Sequence, residues 1–579
     1  MAASCVHLVV LLLGLLIPAT VASPRSPRES PADDAAAPSP RVASRPTTFF
    51  EVHRPLRPPP GSSGRCSTLL LSASFGSTFN KPPATAAYSP PRCLVAAAGG
   101  RARASAISLA VIEWRATCRG AQLDRVFGVW LGGIELLRGS TAAPPPDGIV
   151  WSVTKDVTKY ASLLATGGDS TLAVYLGNLV NSTLTGVYNA NVTLHLYFRR
   201  APPSPPPHAM AQADLIVPMS RAMPSNDGQW YEIHGATDVA SARVALPSNT
   251  YRAVLELYVS SHGDDESWYI NTPGYHNGPF REVTVRVDGD LAGVAWPFPV
   301  IYSGGIDPHL WRPIAGIGSF SLPTYDVELT PLLGKLLDGK PHVFAFAVTN
   351  AMDVWYIDAN LHLWLDPVGT TATTAGIVSY VAPPAANTTS SKSGDPVDTH
   401  YDTTATRHFS ATGWVNSRSY GNVTTNATQT FAFENTKTFE TLSQTTGVHA
   451  GVVAMDHAAG VLYYSVQTQR SFPLGWLYEQ GRLTVTHGLD DTTVAAGRWW
   501  SGPKNRSLHT SQSSVVEDEE SFGVRQTYRY VADDGCYFRN VTSSNYSIVS
   551  DYSDEVCRKR ESLDGVGVVT AALPAVNLP

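Results

Sequence analysis

The sequence predicts an all-β protein: two tandem jelly-roll-like β-sandwiches followed by a further β-rich C-terminal region. Three observations predict it. Short runs of β-branched and aromatic residues, at 67–72, 106–114, 126–131, 172–176 and 192–198, recur between Gly, Pro and Asn. Helical periodicity is confined to a turn or two near 158–165. The chain also repeats itself, in order: 125–129 with 281–285, 172–178 with 344–350, and 188–197 with 356–364. Three matches in one order argue for two copies of one fold. A groove between two such domains suits an elongated ligand.

Taken from the start, residues 1–22 read as a signal peptide, with an apolar core at 6–19 and the small residues Val21-Ala22-Ser23 for cleavage, although no Lys or Arg precedes the core. Residues 23–44, rich in Pro, Ala, Ser and Arg, predict a disordered leader. The first sandwich is expected over 45–200 and a stiff Pro-rich linker over 201–213. The second sandwich follows over 214–367. Residues 368–393, full of Thr, Ala, Pro and Ser, predict another linker, and 394–579 read as strand-like but polar and Thr-rich, with no chemistry that stands out.

Length and composition bound the rest. At 579 residues the chain exceeds a single core. The 43% apolar and 16% charged residues describe a globular protein, and a net charge of −6 leaves no basic footprint for nucleic acid. No later stretch is long and apolar enough for a bilayer. A soluble exported protein is expected, extracellular (apoplast) or vacuolar. Eight Asn-x-Ser/Thr sites fit that compartment: Asn181, Asn191, Asn387, Asn422, Asn426, Asn505, Asn540 and Asn545. Cys5 leaves with the signal, and an odd set remains: Cys66, Cys93, Cys118, Cys536 and Cys557. Cys536 and Cys557 form the natural C-terminal disulfide, and two of the other three another.

Chemistry concentrates in few places. Asp124 stands at the mouth of the strand that starts at Val126. A carboxylate there can be held by Arg125 and still reach a substrate; the plainer alternative is a weak surface ion pair. Asp264, Asp265 and Glu266 are three consecutive acids followed by Trp268 and Tyr269. They form either a solvated or calcium-binding loop, or a site where one carboxyl has a raised pKa for proton transfer. Asn277, Arg281, Trp296, Trp311 and Arg312 have the composition of a carbohydrate groove, with the tryptophans as core residues the competing reading. His195 and His362 sit at equivalent repeat positions and read as structural. The chain lacks a nucleophile elbow, a zincin motif, a phosphate loop, a dinucleotide fingerprint and a Cys/His set with zinc spacing, so no cofactor or metal is expected. By elimination, hydrolysis rests on carboxylates and a water.

Several motifs resemble the acidic, plant-type peptide:N-glycanase family (peptide-N4-(N-acetyl-β-glucosaminyl)asparagine amidase A). They are Phe75-Gly76-Ser77-Thr78-Phe79-Asn80-Lys81-Pro82-Pro83, Leu123-Asp124-Arg125, Trp130-Leu131-Gly132-Gly133-Ile134-Glu135, His262-Gly263-Asp264-Asp265-Glu266, Trp296-Pro297-Phe298-Pro299-Val300-Ile301 and Trp311-Arg312-Pro313-Ile314. The resemblance implies an amidase that cleaves the β-aspartylglucosamine bond, releases an intact N-glycan, leaves aspartate in the peptide and tolerates core α1,3-fucose. Its substrates are N-glycosylated peptides or denatured glycoproteins, with no nucleic acid or membrane partner. The more distant bacterial group has two jelly rolls and a catalytic aspartate in a Cys-Asp-Glu-Trp-Asp-Arg motif, to which Cys118…Leu123-Asp124-Arg125 is similar, with Leu123 in place of Trp. This carries the catalytic role onto Asp124. The bacterial glutamates do not carry over: Asn277 stands where one precedes Phe280-Arg281, and Gly177-Asn178 lies near the other. The assisting acid is then expected among Asp264, Asp265 and Glu266. Two rival readings are a lectin-like N-glycan binder and an endoglycosidase with two facing carboxylates.

Overall fold

The computed structural model describes residues 46–145, 147–166, 170–199, 212–368, 372–395, 399–500, 502–518 and 521–556. The expected signal peptide, the leader, nearly all of the Pro-rich linker and Cys557 lie outside the described residues.

The first unit is built from β1 (Thr47–Thr48), β2 (Ser62–Phe75), β3 (Ala84–Tyr88), β4 (Ile107–Arg119) and β5 (Val126–Leu131). It continues with β6 (Ile134–Ser140), β7 (Ile149–Asp156), β8 (Ser170–Leu176) and β9 (Val187–Arg199). One sheet runs β1-β7-β4-β9-β2 and the other β3-β8-β5-β6. Their inner faces close on each other where Trp114 of β4 stacks on Phe127 of β5, ring centroids 4.1 Å apart. The helical signal near 158–165 is a single turn, Thr158–Tyr160, running into Ala161–Ala165.

The second unit comprises β10 (Leu215–Met219), β11 (Tyr231–Ile233), β12 (Ala240–Val244), β13 (Thr250–Ser261) and β14 (Glu282–Val287). Then come β15 (Asp290–Ala295), β16 (Thr324–Glu328), β17 (His342–Thr349) and β18 (Trp355–Leu365). Its sheets run β10-β18-β13-β16, with β11 alongside β18, and β12-β17-β14-β15. Position for position these are β2-β9-β4-β7 and β3-β8-β5-β6 of the first unit. The three sequence repeats fall on β5/β14, β8/β17 and β9/β18. The stretch from β1 to β18 is two copies of one sandwich.

The copies meet through a polar seam. Trp130 Nε1 donates to Asp358 at 2.7 Å. The Glu135 backbone and the Asn360 amide exchange two hydrogen bonds, at 3.1 and 2.8 Å. Arg138 grips Glu135 with two bonds of 2.8 and 2.6 Å, and both side chains are fully buried. Glu256 of β13 accepts from Tyr160 at 2.6 Å, pairs with Lys159 and lies 3.1 Å from His362 Nε2. Buried charges are tolerable only when paired in this way.

Strands from Thr374–Val381 to Ser547–Asp554 form one large antiparallel sheet in which successive strands from His400–Ser417 onward pair by hairpins. It lies against the second sandwich: Phe431 meets Trp296 at 5.0 Å, Phe433 meets Phe280 at 5.5 Å and Phe472 meets Phe298 at 5.3 Å. The linker expected at 368–393 is instead largely two strands, Thr374–Val381 and Asn387–Ser393, both paired to His400–Ser417. Their side chains are almost all exposed. Without a buried face they carry no apolar alternation, and ladder hydrogen bonds supply most of their ordering, helped by Tyr380, whose hydroxyl donates to the Leu291 carbonyl. Cys66 pairs with Cys93, Cys118 is free and buried, and Cys536 is disulfide-bonded.

Candidate active site

The β4–β5 loop leaves its strand at Gly120, where φ is +94° and a Cβ would lie 2.6 Å from Thr185 Oγ1, so only glycine fits. Gln122, 5% exposed, then ties the loop down. Its Nε2 donates to the Leu179 and Gly186 carbonyls at 2.8 and 3.2 Å, and its Oε1 accepts from Leu123 N and Arg125 Nη2 at 3.0 and 2.9 Å. Tyr188 donates to the Leu123 carbonyl at 2.7 Å. The result is a rigid bend that presents a half-buried Asp124 immediately before β5.

Glu266 sits in the β13–β14 loop, the same loop of the second copy. Its neighbour Asp265 turns the other way into the core. There it pairs with Arg281 at 2.5 Å and accepts from Met352 N and Trp355 Nε1 at 2.8 and 2.7 Å. Asp264 is exposed.

A third segment, the long β15–β16 connection, closes the site. The Gly304 N–H donates to Asp124 Oδ2 at 3.0 Å. A Cβ at 304 would stand 2.7 Å from Asp124 Oδ1, so the close approach requires glycine. Trp311 Nε1 braces the turn by donating to the Gly305 carbonyl at 2.8 Å. Glu51 from the N-terminal segment accepts from Gly318 and Phe320 N–H at 2.9 and 3.0 Å.

The charges of the three loops interact. Burial, and then the charge of Asp124, push the Glu266 carboxyl up to about 8. Burial also holds Asp124 above the usual carboxylate range, although the Gly304 N–H, its own backbone and the charges of Arg125 and Arg312 pull it part of the way back. The two carboxyls act on each other electrostatically, so one proton between them is favoured. Asp124 has the donors and the cations, so Glu266 is the better holder of that proton. The Tyr302 hydroxyl is buried without a hydrogen-bond partner among the described residues. Burial first, and then the nearby charge of Glu266, hold it far above the usual phenol range, with Asp124 adding to the effect. It therefore stays a donor. The His262 ring stacks on Tyr302 at 5.8 Å, and burial depresses it to about 3, which keeps it neutral.

The structure thus brings together Asp124, Glu266 and Arg312, with Arg125 alongside. Arg125 hydrogen-bonds Gln122, and the direct hold on the carboxylate falls to Gly304. Other expected groove residues are framework. Trp296 is 2% exposed and bonded to Glu282, Trp311 is fully buried, and Arg281 is locked to Asp265. Asn277 is exposed, at φ +58°, with its amide on the Ala351 carbonyl at 3.3 Å. Tyr302 and Gly304 are additions that sequence reasoning missed; the only signal was the Gly304-Gly305 pair after a Pro-aromatic run.

Residues 55–383 match the family described as peptide N-acetyl-beta-D-glucosaminyl asparaginase amidase A. A Prunus dulcis protein named peptide-N4-(N-acetyl-beta-glucosaminyl)asparagine amidase A is 41% identical over 574 residues, covering 93% of this chain and 97% of that one. Among solved structures, PNGase F from Flavobacterium meningosepticum is 16% identical, covers 52% of this chain and 96% of that one, and superposes with a TM-score of 0.35. PNGF-II is 11% identical, covers 49% and 60%, and gives 0.33.

Proposed function

The chain belongs to the peptide N-acetyl-β-D-glucosaminyl asparaginase amidase A family, and from that premise we propose how its residues carry out the reaction. The enzyme hydrolyses the amide that joins an N-glycan to an asparagine side chain. Glycan and peptide approach the open face where Asp124, Glu266 and Gly304 converge. The Asp124 carboxylate, steadied by the Gly304 N–H, takes a proton from water as that water attacks the amide carbon. Charge builds on the amide oxygen, and the neutral Tyr302 hydroxyl is the donor available to it. Protonated Glu266 delivers its proton to the departing glycosylamine nitrogen as the C–N bond breaks. The products are a peptide carrying aspartate and a glycan bearing a 1-amino group, which water later replaces. Proton exchange with solvent returns Asp124 and Glu266 to their starting states.

The observation that carries this reading is the pair of carboxyls on equivalent loops of the two copies, one supplied with cations and an N–H donor and the other with neither. The test is hydrolysis of a core-fucosylated glycopeptide in oxygen-18 water, followed by mass spectrometry. Label in a new aspartate, together with a free intact glycan, is expected. A peptide that keeps one GlcNAc would replace the reading with an endoglycosidase, and an unchanged but bound substrate with a lectin.

We also place the enzyme in the secretory pathway. The Cys66–Cys93 disulfide suits an oxidising compartment, and six of the eight sequon asparagines are exposed, Asn426 and Asn540 being half-buried. Loss of mass on enzymatic deglycosylation of protein from a eukaryotic host would support that; an unglycosylated, reduced native protein would refute it.

A further inference from the structure

We infer that Tyr546, at the tip of the last hairpin of the C-terminal sheet, is a positioning residue for the amidase: it holds Arg312 where that cation supports ionised Asp124. This rests on the reading of Asp124 given above.

The hairpin joins Gly535–Ser544 to Ser547–Asp554 through Asn545 and Tyr546. Both turn residues are left-handed, at φ +44° and +66°. Asparagine accepts that region readily, whereas a tyrosine there is uncommon and is kept only where its surroundings demand it. The turn is pinned to the neighbouring strand: Asn545 N donates to the Phe522 carbonyl at 3.0 Å, and Phe522 N donates to Asn545 Oδ1 at 3.1 Å. The Tyr546 ring stands edge-on to Phe522 at 4.9 Å, and the other side of the contact is made by His309, 5.1 Å from the same phenylalanine. The hairpin tip is thereby fixed against the active-site connection at Pro308–Trp311.

From this platform the Tyr546 hydroxyl accepts a hydrogen bond from Arg312 Nη1 at 2.5 Å, and the guanidinium lies 5.6 Å from the ring centroid. The Arg312 Nε is buried without a partner among the described residues, so the Tyr546 hydroxyl is the hydrogen bond that fixes the head group there. That head group is one of the two cations favouring the charged form of Asp124. The groups acting on Asp124 are Arg125 and Arg312 as cations, the Gly304 N–H as donor, and Glu266, Tyr188 and Tyr302 opposite. Arg312 among them is hydrogen-bonded to the C-terminal sheet. The last third of the chain therefore belongs to the catalytic machinery at one remove.

The experiment is a double-mutant cycle of Tyr546→Phe and Arg312→Ala in the full chain, assayed on an N-glycopeptide across pH. Tyr546→Phe keeps the ring and removes the acceptor. It is expected to lower kcat about 10-fold, the low end for a hydrogen bond to a charged group, with KM little changed. The acid limb of the profile moves to higher pH, because Asp124 loses support for its charge. In the Arg312→Ala background the same change has no further effect, since the residue it acts through is gone. A merely structural tyrosine would lower activity by the same factor in both backgrounds and leave the acid limb in place; that result, or wild-type kinetics of Tyr546→Phe, overturns the inference. An Asp124→Asn enzyme that stays active would instead remove the premise, so the two failures are separable.

Discussion

At the scale of single residues, Gly304 is the plainest case of a side chain whose absence does chemistry. Its N–H meets Asp124 at 3.0 Å only because nothing projects toward the carboxylate. Its backbone is not left-handed, so Gly304→Ala should fold normally while pushing Asp124 aside. Misplacing a reacting group by about 1 Å can lower the rate by roughly 10²-fold. A fall in kcat of that order at unchanged melting temperature is expected; a rate within about 3-fold of wild type would exclude the contact. Asp124→Asn removes the base itself, and the loss should reach about 10²–10⁴-fold. Asp124 was legible through the resemblance of Cys118…Leu123-Asp124-Arg125 to a known motif, since an Asp-Arg pair at a strand start reads by itself as a weak surface ion pair. Glu266 could not be told from Asp264 and Asp265, since consecutive residues of one short helical turn face different ways and nothing local says which way the core lies. Gly304 was invisible because its partner is far away in sequence, in the other sandwich.

At the scale of elements, the site arises from duplication. Asp124 and Glu266 occupy the same loop in two copies of one sandwich, and the copies are joined so that the two loops face. Matching runs on β5/β14, β8/β17 and β9/β18 made the duplication readable, because buried strands repeat the same apolar pattern. The exposed strands Thr374–Val381 and Asn387–Ser393 were not readable, for the opposite reason. The seam between copies was hidden as well: Glu135 and Arg138 lie in an ordinary-looking strand, and only the fold makes their pairing buried. Breaking that pair leaves a charge without its partner in a dry interface. Arg138→Ala should therefore lower stability by about 3–5 kcal/mol, read as a shift of the urea midpoint. A loss below about 1 kcal/mol would mean that water reaches the seam.

At the scale of the whole molecule, the site's electrostatics should be visible in stability as well as in rate. The Glu266 carboxyl, raised from its ordinary value to about 8, binds a proton in the folded state that the unfolded chain has already lost between about pH 4.5 and 8. Through this group alone the folded state binds more protons across that window, so its contribution to stability grows as pH falls, while His262 and His487, depressed by burial to about 3, act in the opposite direction below about pH 6.5. One such group supplies a slope of at most about 1.4 kcal/mol per pH unit. Glu256 opposes this at lower pH. Burial alone would raise it, but Lys159, His362 and Lys155 hold it well below the usual carboxylate range, so the stability it contributes is lost as pH drops below the ordinary glutamate value. Catalysis draws on the same protonated Glu266, so rate and stability share one group. Glu266→Gln separates them: it should abolish turnover, raise the melting temperature at pH 8 and leave it nearly unchanged at pH 5. A variant whose melting temperature follows the wild-type pH curve throughout would show that Glu266 ionises without hindrance in the folded enzyme, and the assignment of the proton to it would fall.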